Sequence, residues 1–165
     1  PVHPRTRFDT FVAMYTVVLI LHSWLRWAVL LAGLLAIVGL LSSRARPDDT
    51  SKAEKWVSFF MMGLDTQLLL GLLLYLFLSP NTKAIFGDFG AAMRDGVARF
   101  WAVEHISLMI VAIVIVHVGM ILSRKATTPA SRRARLLVCF GLATLLMIIG
   151  IPWPTTNAGR PLIRL

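Results

Sequence analysis

One cysteine, Cys139, in 165 residues excludes an intrachain disulfide and a cysteine-based metal cluster. It lies inside an apolar block, where a thiol acts as a small buried hydrophobe. Charge is scarce as well. Only 15% of residues are charged, with eight acidic against seventeen lysines and arginines, where a soluble domain has about 25% charged residues. No hydrolytic triad, glycine-rich phosphate loop or metalloprotease motif is present. Nor do the apolar stretches show the broken helices or polar rows of pores and transporters.

What the chain has instead is apolar residues in long blocks. They make up 57% of it, and the mean hydropathy is +0.74. The net charge of +9 could suit nucleic acid. The basic residues, however, stand at the ends of the apolar blocks, where they set topology and meet anionic headgroups. The expected partner is the lipid bilayer, and no nucleic-acid binding is expected.

Four segments, at about residues 14–43, 56–78, 100–123 and 135–152, are each near or above the ~18 to 20 residues that cross a bilayer as a helix. They predict an all-α integral membrane four-helix bundle, up-down-up-down. Residues 1–13 read as a short extramembrane tail, or translation starts at Met14; residues 155–165 read as a C-terminal tail. The first block is too long for a cleavable signal and lacks a small-residue cleavage site, so none is expected. Ser51 and Glu54 have capping-box spacing ahead of the second helix. Thr128-Pro129 can open the fourth slightly before its membrane portion. Ser79-Pro80 and Pro152-Trp153-Pro154 end the second and fourth. Within 79–99, Phe86, Phe89, Met93 and Val97 predict a short amphipathic surface helix, against three glycines that weaken it.

Arg44, Arg46, Lys52 and Lys55 fall between segments one and two; Arg124, Lys125, Arg132, Arg133 and Arg135 fall between three and four. The opposite side spreads Arg5, Arg7, Lys83, Arg94, Arg99, Arg160 and Arg164 over the tails and a longer loop. The positive-inside rule then places both termini on the outer side of the membrane. Trp24, Trp27, Trp101 and Trp153 fall near that outer edge and Trp56 near the inner one, as interfacial belts do.

Ionisable residues inside spans are expensive unless paired, and are therefore functional candidates. This chain carries His22 and Arg26, then Asp65, then Glu104, His105 and His117, with Gln67 as a neutral polar group. At about 1.5 Å per residue, His22 stands roughly 33 Å above Arg44 and His105 roughly 28 Å above Arg124. The first and third helices run the same way, so the two imidazoles arrive within one turn of each other near the outer boundary. Two histidines at matched depth on separate helices can clamp a b-type haem. Taken singly, each is as well explained by solvent or a backbone carbonyl. Arg26, one turn below His22, can reach a haem propionate, snorkel, or pair with Glu104. His117 lies far on the inner side, nearer in depth to Asp65; a carboxylate–imidazole pair there satisfies both. Gly33 admits either a flat ring or a close helix contact, and Met109 reads as core packing.

The blocks "MYTVVLILHSWLRW", "RFWAVEHISLMIVAI" and "GIPWP" resemble a family of small bacterial four-helix membrane proteins labelled cytochrome b or cytochrome b-like. The likeness runs from Met14 to about Pro154. It implies His22 of the HSxLRW block and His105 of the VEHI block as ligands of haem iron, with Arg26 alongside, and gives His117 no place. A looser likeness is to cytochrome b561-type electron-transfer proteins. The expected function is electron transfer through one haem b between helices 1 and 3, exchanging electrons with quinol or a partner cytochrome, with a quinone possible as a second cofactor. The competing expectation is a haem-free accessory subunit of a larger respiratory or photosynthetic membrane complex, with no catalytic motif of its own. Reporter fusions test the orientation: a reporter active only outside the membrane is expected to work after Leu165 and to be silent within residues 124–128. The reverse pattern contradicts the charge argument.

Overall fold

The computed structural model describes residues 7–43 and 51–163, excepting the side chains of Ser51 and Lys52. The expected capping box and the basic residues Arg44, Arg46 and Lys52 therefore lie wholly or partly outside the described set. Among the described residues every regular element is helical: α1 (Arg7–Ser42), α2 (Ser51–Leu73), α3 (Pro80–Gly87), α4 (Phe89–Arg94), α5 (Gly96–Arg99), α6 (His105–Arg124) and α7 (Pro129–Gly150). One π-helical turn, Leu74–Leu78, extends α2, and another, Phe100–Glu104, leads into α6. Four helical stretches, Arg7–Ser42, Ala53–Leu78, Gly96–Arg124 and Pro129–Gly150, are long and apolar enough to cross a membrane. Their outward faces carry Leu31, Leu69 and Val138, each more than half exposed, which suits lipid and would be costly in water.

The first helix begins at Arg7, not near Met14. Phe11 and Tyr15 give the reason, since they pack with Val18 against Leu74 and Leu78 of the first π-turn. The Lys83 ammonium lies 4.5 Å from the centre of the Phe11 ring. The 79–99 connection is three short helices instead of one. Asp88 accepts from the Ala91 amide and Asp95 from the Ala98 amide, so each carboxylate caps a new helix where a continuous one would leave it idle. Ser79 likewise caps α3 ahead of Pro80. The same dipeptide that closes the second span opens the next element. Thr128 caps α7 as expected, accepting from Ser131.

Helix α1 packs on α2 and α7, and α6 packs on α7 and α2. That leaves α1 and α6 facing one another across the core. Along α1 and α2 the contacts step in opposite chain directions: Gly39 against Ala53, Gly33 against Phe60, Val29 against Gly63, His22 against Gly71. Between α6 and α7, Gly119 meets Cys139 and Met109 meets Gly150. The shared core holds Val29, Ala36, Phe60, Val116, Phe140 and Met147, with the Phe60 and Phe140 rings 5.7 Å apart. In lipid no hydrophobic force separates core from surface, so close backbone approach and dispersion bind these helices.

Gly119 and Gly141 give a paired test. A Cβ at Gly119 would collide with the Cys139 Cβ, whereas nothing lies within 4 Å of one at Gly141. Gly119→Ala is expected to destabilise by about 1–3 kcal/mol through overpacking. Gly141→Ala should instead be neutral or stabilise by up to ~1 kcal/mol. Denaturation of both variants in detergent reads the difference, and equal effects contradict the α6–α7 contact.

Candidate functional site

The site gathers at the end of the bundle opposite the basic 124–135 connection. Its geometry starts at the close of α7. The carbonyls of Ile148 and Gly150 would normally accept from the amides four residues on, but those residues are Pro152 and Pro154, which have no N–H. Ile148 keeps only a long 3.4 Å bond from the Ile151 amide, and two side chains supply the remaining donors. Trp153 Nε1 donates to the Ile148 carbonyl at 2.9 Å, and His105 Nδ1 donates to the Gly150 carbonyl at 2.8 Å. A carbonyl can only accept, so the proton sits on Nδ1, and a neutral His105 ring keeps its lone pair on Nε2.

His22 approaches from α1. Its ring centroid is 6.5 Å from that of His105, with the planes at 72°. The depth matching read from the sequence thus corresponds to a real juxtaposition. Gln67 Nε2 of α2 donates to the His22 carbonyl at 2.8 Å, fixing the backbone beside the ring. Gly71 leaves room on the same side, where a Cβ would stand 3.2 Å from His22 Cε1. His22 Nδ1, Gln67 Oε1 and Trp101 Nε1 are buried with no hydrogen-bond partner among the described residues. Such atoms are rare in folded proteins and ask for a ligand or an ordered water.

All three residues line one partly open cavity of about 150 Å³, together with His105, Tyr75 and Arg160. The two π-turns meet beside it, Tyr75 Oη donating to the Ala102 carbonyl at 2.5 Å. A π-turn shifts the backbone bonding register by one residue and frees carbonyls for such partners. Trp101 and Phe100 stack around His105, with centroids at 5.7 and 5.9 Å.

The chain after α7 does not trail away as a tail. Residues 151–163 fold back across the cavity end as a strap, pinned where Arg26 Nη2 and Trp27 Nε1 both donate to the Leu162 carbonyl at 2.9 Å. Arg26 is buried. The Arg26–Glu104 pair expected as one alternative does not form, because Glu104 binds Arg99 at 2.8 Å. Arg99 is the nearer partner in sequence: it directly precedes the π-turn that Glu104 ends. Gly33 takes its close-contact reading, since a Cβ there would meet Phe60 and Thr144 at 2.8 Å. Met109 both lines the cavity and packs on Gly150.

Asp65 and His117 stand apart from this site. Their side chains meet at 3.6 Å between α2 and α6, each nearly half exposed, in the pairing that their depths predict. His117 Nδ1 also lies 3.0 Å from the Ile113 carbonyl.

The chain matches no family model, no curated protein and no solved structure. The likeness to cytochrome b-like proteins therefore rests on the quoted sequence blocks alone. Among the described residues no group of three or more His, Cys, Asp or Glu side chains could hold a bare metal ion. Two lone imidazoles are a different donor set, one that completes the coordination of an iron already held by a macrocycle.

The strap makes its own prediction. Arg26→Met keeps length and removes the donors, and losing a charged hydrogen bond is expected to speed hydrogen exchange of the 151–163 amides by at least about tenfold. Trp27→Phe should act in the same direction with a smaller effect. Unchanged exchange in both variants contradicts the pinning.

Proposed function

We propose that this protein is a membrane electron-transfer protein of the up-down-up-down four-helix type, both termini outside a bacterial cytoplasmic membrane, binding one b-type haem between His22 and His105. The observation that carries the reading is the spacing of the two rings. Imidazoles bound on opposite sides of one metal, each nitrogen ~2 Å from it, have centroids roughly 6 Å apart, against 6.5 Å here. The orphaned His22 Nδ1 also suits a bound group, and the absence of a side chain at Gly71 lets the His22 ring sit close against α2.

Haem held there would supply a one-electron ferric–ferrous couple. The chain's own residues do the rest. The Gly150 carbonyl fixes the His105 ring and its tautomer, the outer-shell contact that orients metal-ligating histidines. Gln67 holds the His22 backbone from α2. The apolar walls contributed by Leu19, Leu64, Leu68 and Ile106 keep water from the rings and lower the local dielectric. Electrons would pass to and from membrane quinol or a partner redox protein on the outer side.

A second reading, a haem-free accessory subunit of a larger membrane complex, has one observation in its favour. The Asp65–His117 pair is half exposed on a span, where lipid is a poor neighbour and another protein's helix a better one.

A dithionite-reduced minus oxidised spectrum of the purified, haem-supplied protein separates the readings. A b-type alpha band near ~560 nm is expected, lost in His22→Ala and in His105→Ala, and retained in His117→Ala. Folded wild-type protein without such a band contradicts the haem reading. A band that survives both substitutions contradicts the ligand assignment.

A further inference from the structure

The strap carries a cation to the cavity that no described acid neutralises. Arg160 is partly buried and lines the cavity. Its backbone N–H donates to the Pro152 carbonyl at 3.1 Å, which holds the strap's turn in shape. Its guanidinium carbon lies 5.1 Å from the centre of the Trp101 ring, itself 5.7 Å from His105. Among the described residues the ion pairs are Arg99–Glu104, Asp65–His117 and Arg132–Glu54. Glu104 is thus committed to Arg99, and none of these pairs includes Arg160.

Arg26 is already engaged, clasping Leu162, and acts on the site by holding the strap that bears Arg160. A guanidinium stacked on an aromatic face keeps its in-plane N–H groups available, and their fork matches a carboxylate. Arg160 is only partly buried, so its guanidinium keeps some water, and a ligand carboxylate that replaces this water beside the apolar walls adds a charge-assisted bond. The cavity's size adds a second constraint. About 150 Å³ is the space that holds a molecule such as benzene. A porphyrin cannot be enclosed in it, so part of its periphery has to extend past the lining, to which the strap contributes Arg160 and Pro161.

From this placement we infer that Arg160 binds a carboxylate of the molecule that occupies the cavity. On the haem reading, on which this inference rests, that carboxylate is a propionate. Arg160 is then a cofactor-retaining residue, and the C-terminal strap is part of the binding site.

The test uses the full-length protein in detergent, loaded in parallel with haem and with haem dimethyl ester, whose carboxylates are masked. Transfer to excess apomyoglobin is followed by absorbance. From the unchanged protein the ester is expected to leave about tenfold faster than the free acid, the loss of one charge-assisted bond. In Arg160→Gln both forms are expected to leave at the same, faster rate; Arg160→Lys, which keeps the charge, should retain part of the difference. Equal retention of acid and ester by the unchanged protein overturns the inference while the haem reading stands. An ester effect that persists undiminished in Arg160→Gln assigns the carboxylate to another cation and overturns it too. If Arg160→Gln fails to fold, undiminished discrimination in Arg160→Lys supports only a requirement for charge and overturns the fork geometry, whereas reduced discrimination upholds it. Unchanged protein that binds neither form overturns the haem reading and this inference together.

Discussion

The carbonyl of Gly150 has no amide to receive, because the residue four places on is a proline, and much of this site follows from that gap. In water a free carbonyl at a helix end is harmless. In an apolar bundle it needs a donor, and His105 supplies one at 2.8 Å. The bond fixes the ring's position and, in the neutral ring, leaves the lone pair on its second nitrogen. The same prolines turn the chain out of α7 and send residues 151–163 back over the cavity, where Arg26 and Trp27 secure it. The short motif at 150–154 therefore ends a span, orients an imidazole and launches the strap.

The helices that bear the two histidines do not pack broadly on one another. They face across a core whose other members, from Val29 to Phe140, keep α1 and α6 apart while α2 and α7 bridge them. Small residues at the bridging contacts, such as Gly33, Gly63 and Gly119, let the backbones come close and leave little room for sliding. The ring-to-ring distance is accordingly a property of the whole bundle.

Much of this was legible in the residues. Block length predicted the spans, and counting rise from the basic anchors matched His22 with His105 and Asp65 with His117. These succeed because a membrane helix has a nearly fixed rise and an inner anchor to count from. Three features were hidden. The extension of α1 back to Arg7 depends on Phe11 and Tyr15 finding Leu74 and Leu78, a contact between remote segments. The break of 79–99 into three helices depends on Asp88 and Asp95 capping, which their apolar neighbours mask. The strap depends on bonds from Arg26 and Trp27 to a carbonyl about 135 residues away in sequence. The two prolines could have signalled that the Ile148 and Gly150 carbonyls need donors, though not which side chains would answer.

The proposed haem site requires that these two imidazoles share one iron. Electron paramagnetic resonance of the oxidised, haem-loaded protein tests it most directly, since spin state reports the axial ligands. Two strong-field imidazoles with planes near perpendicular, as the 72° here, predict a low-spin ferric signal of the strongly anisotropic kind. A high-spin signal, or no haem iron signal from folded and loaded protein, would contradict the claim.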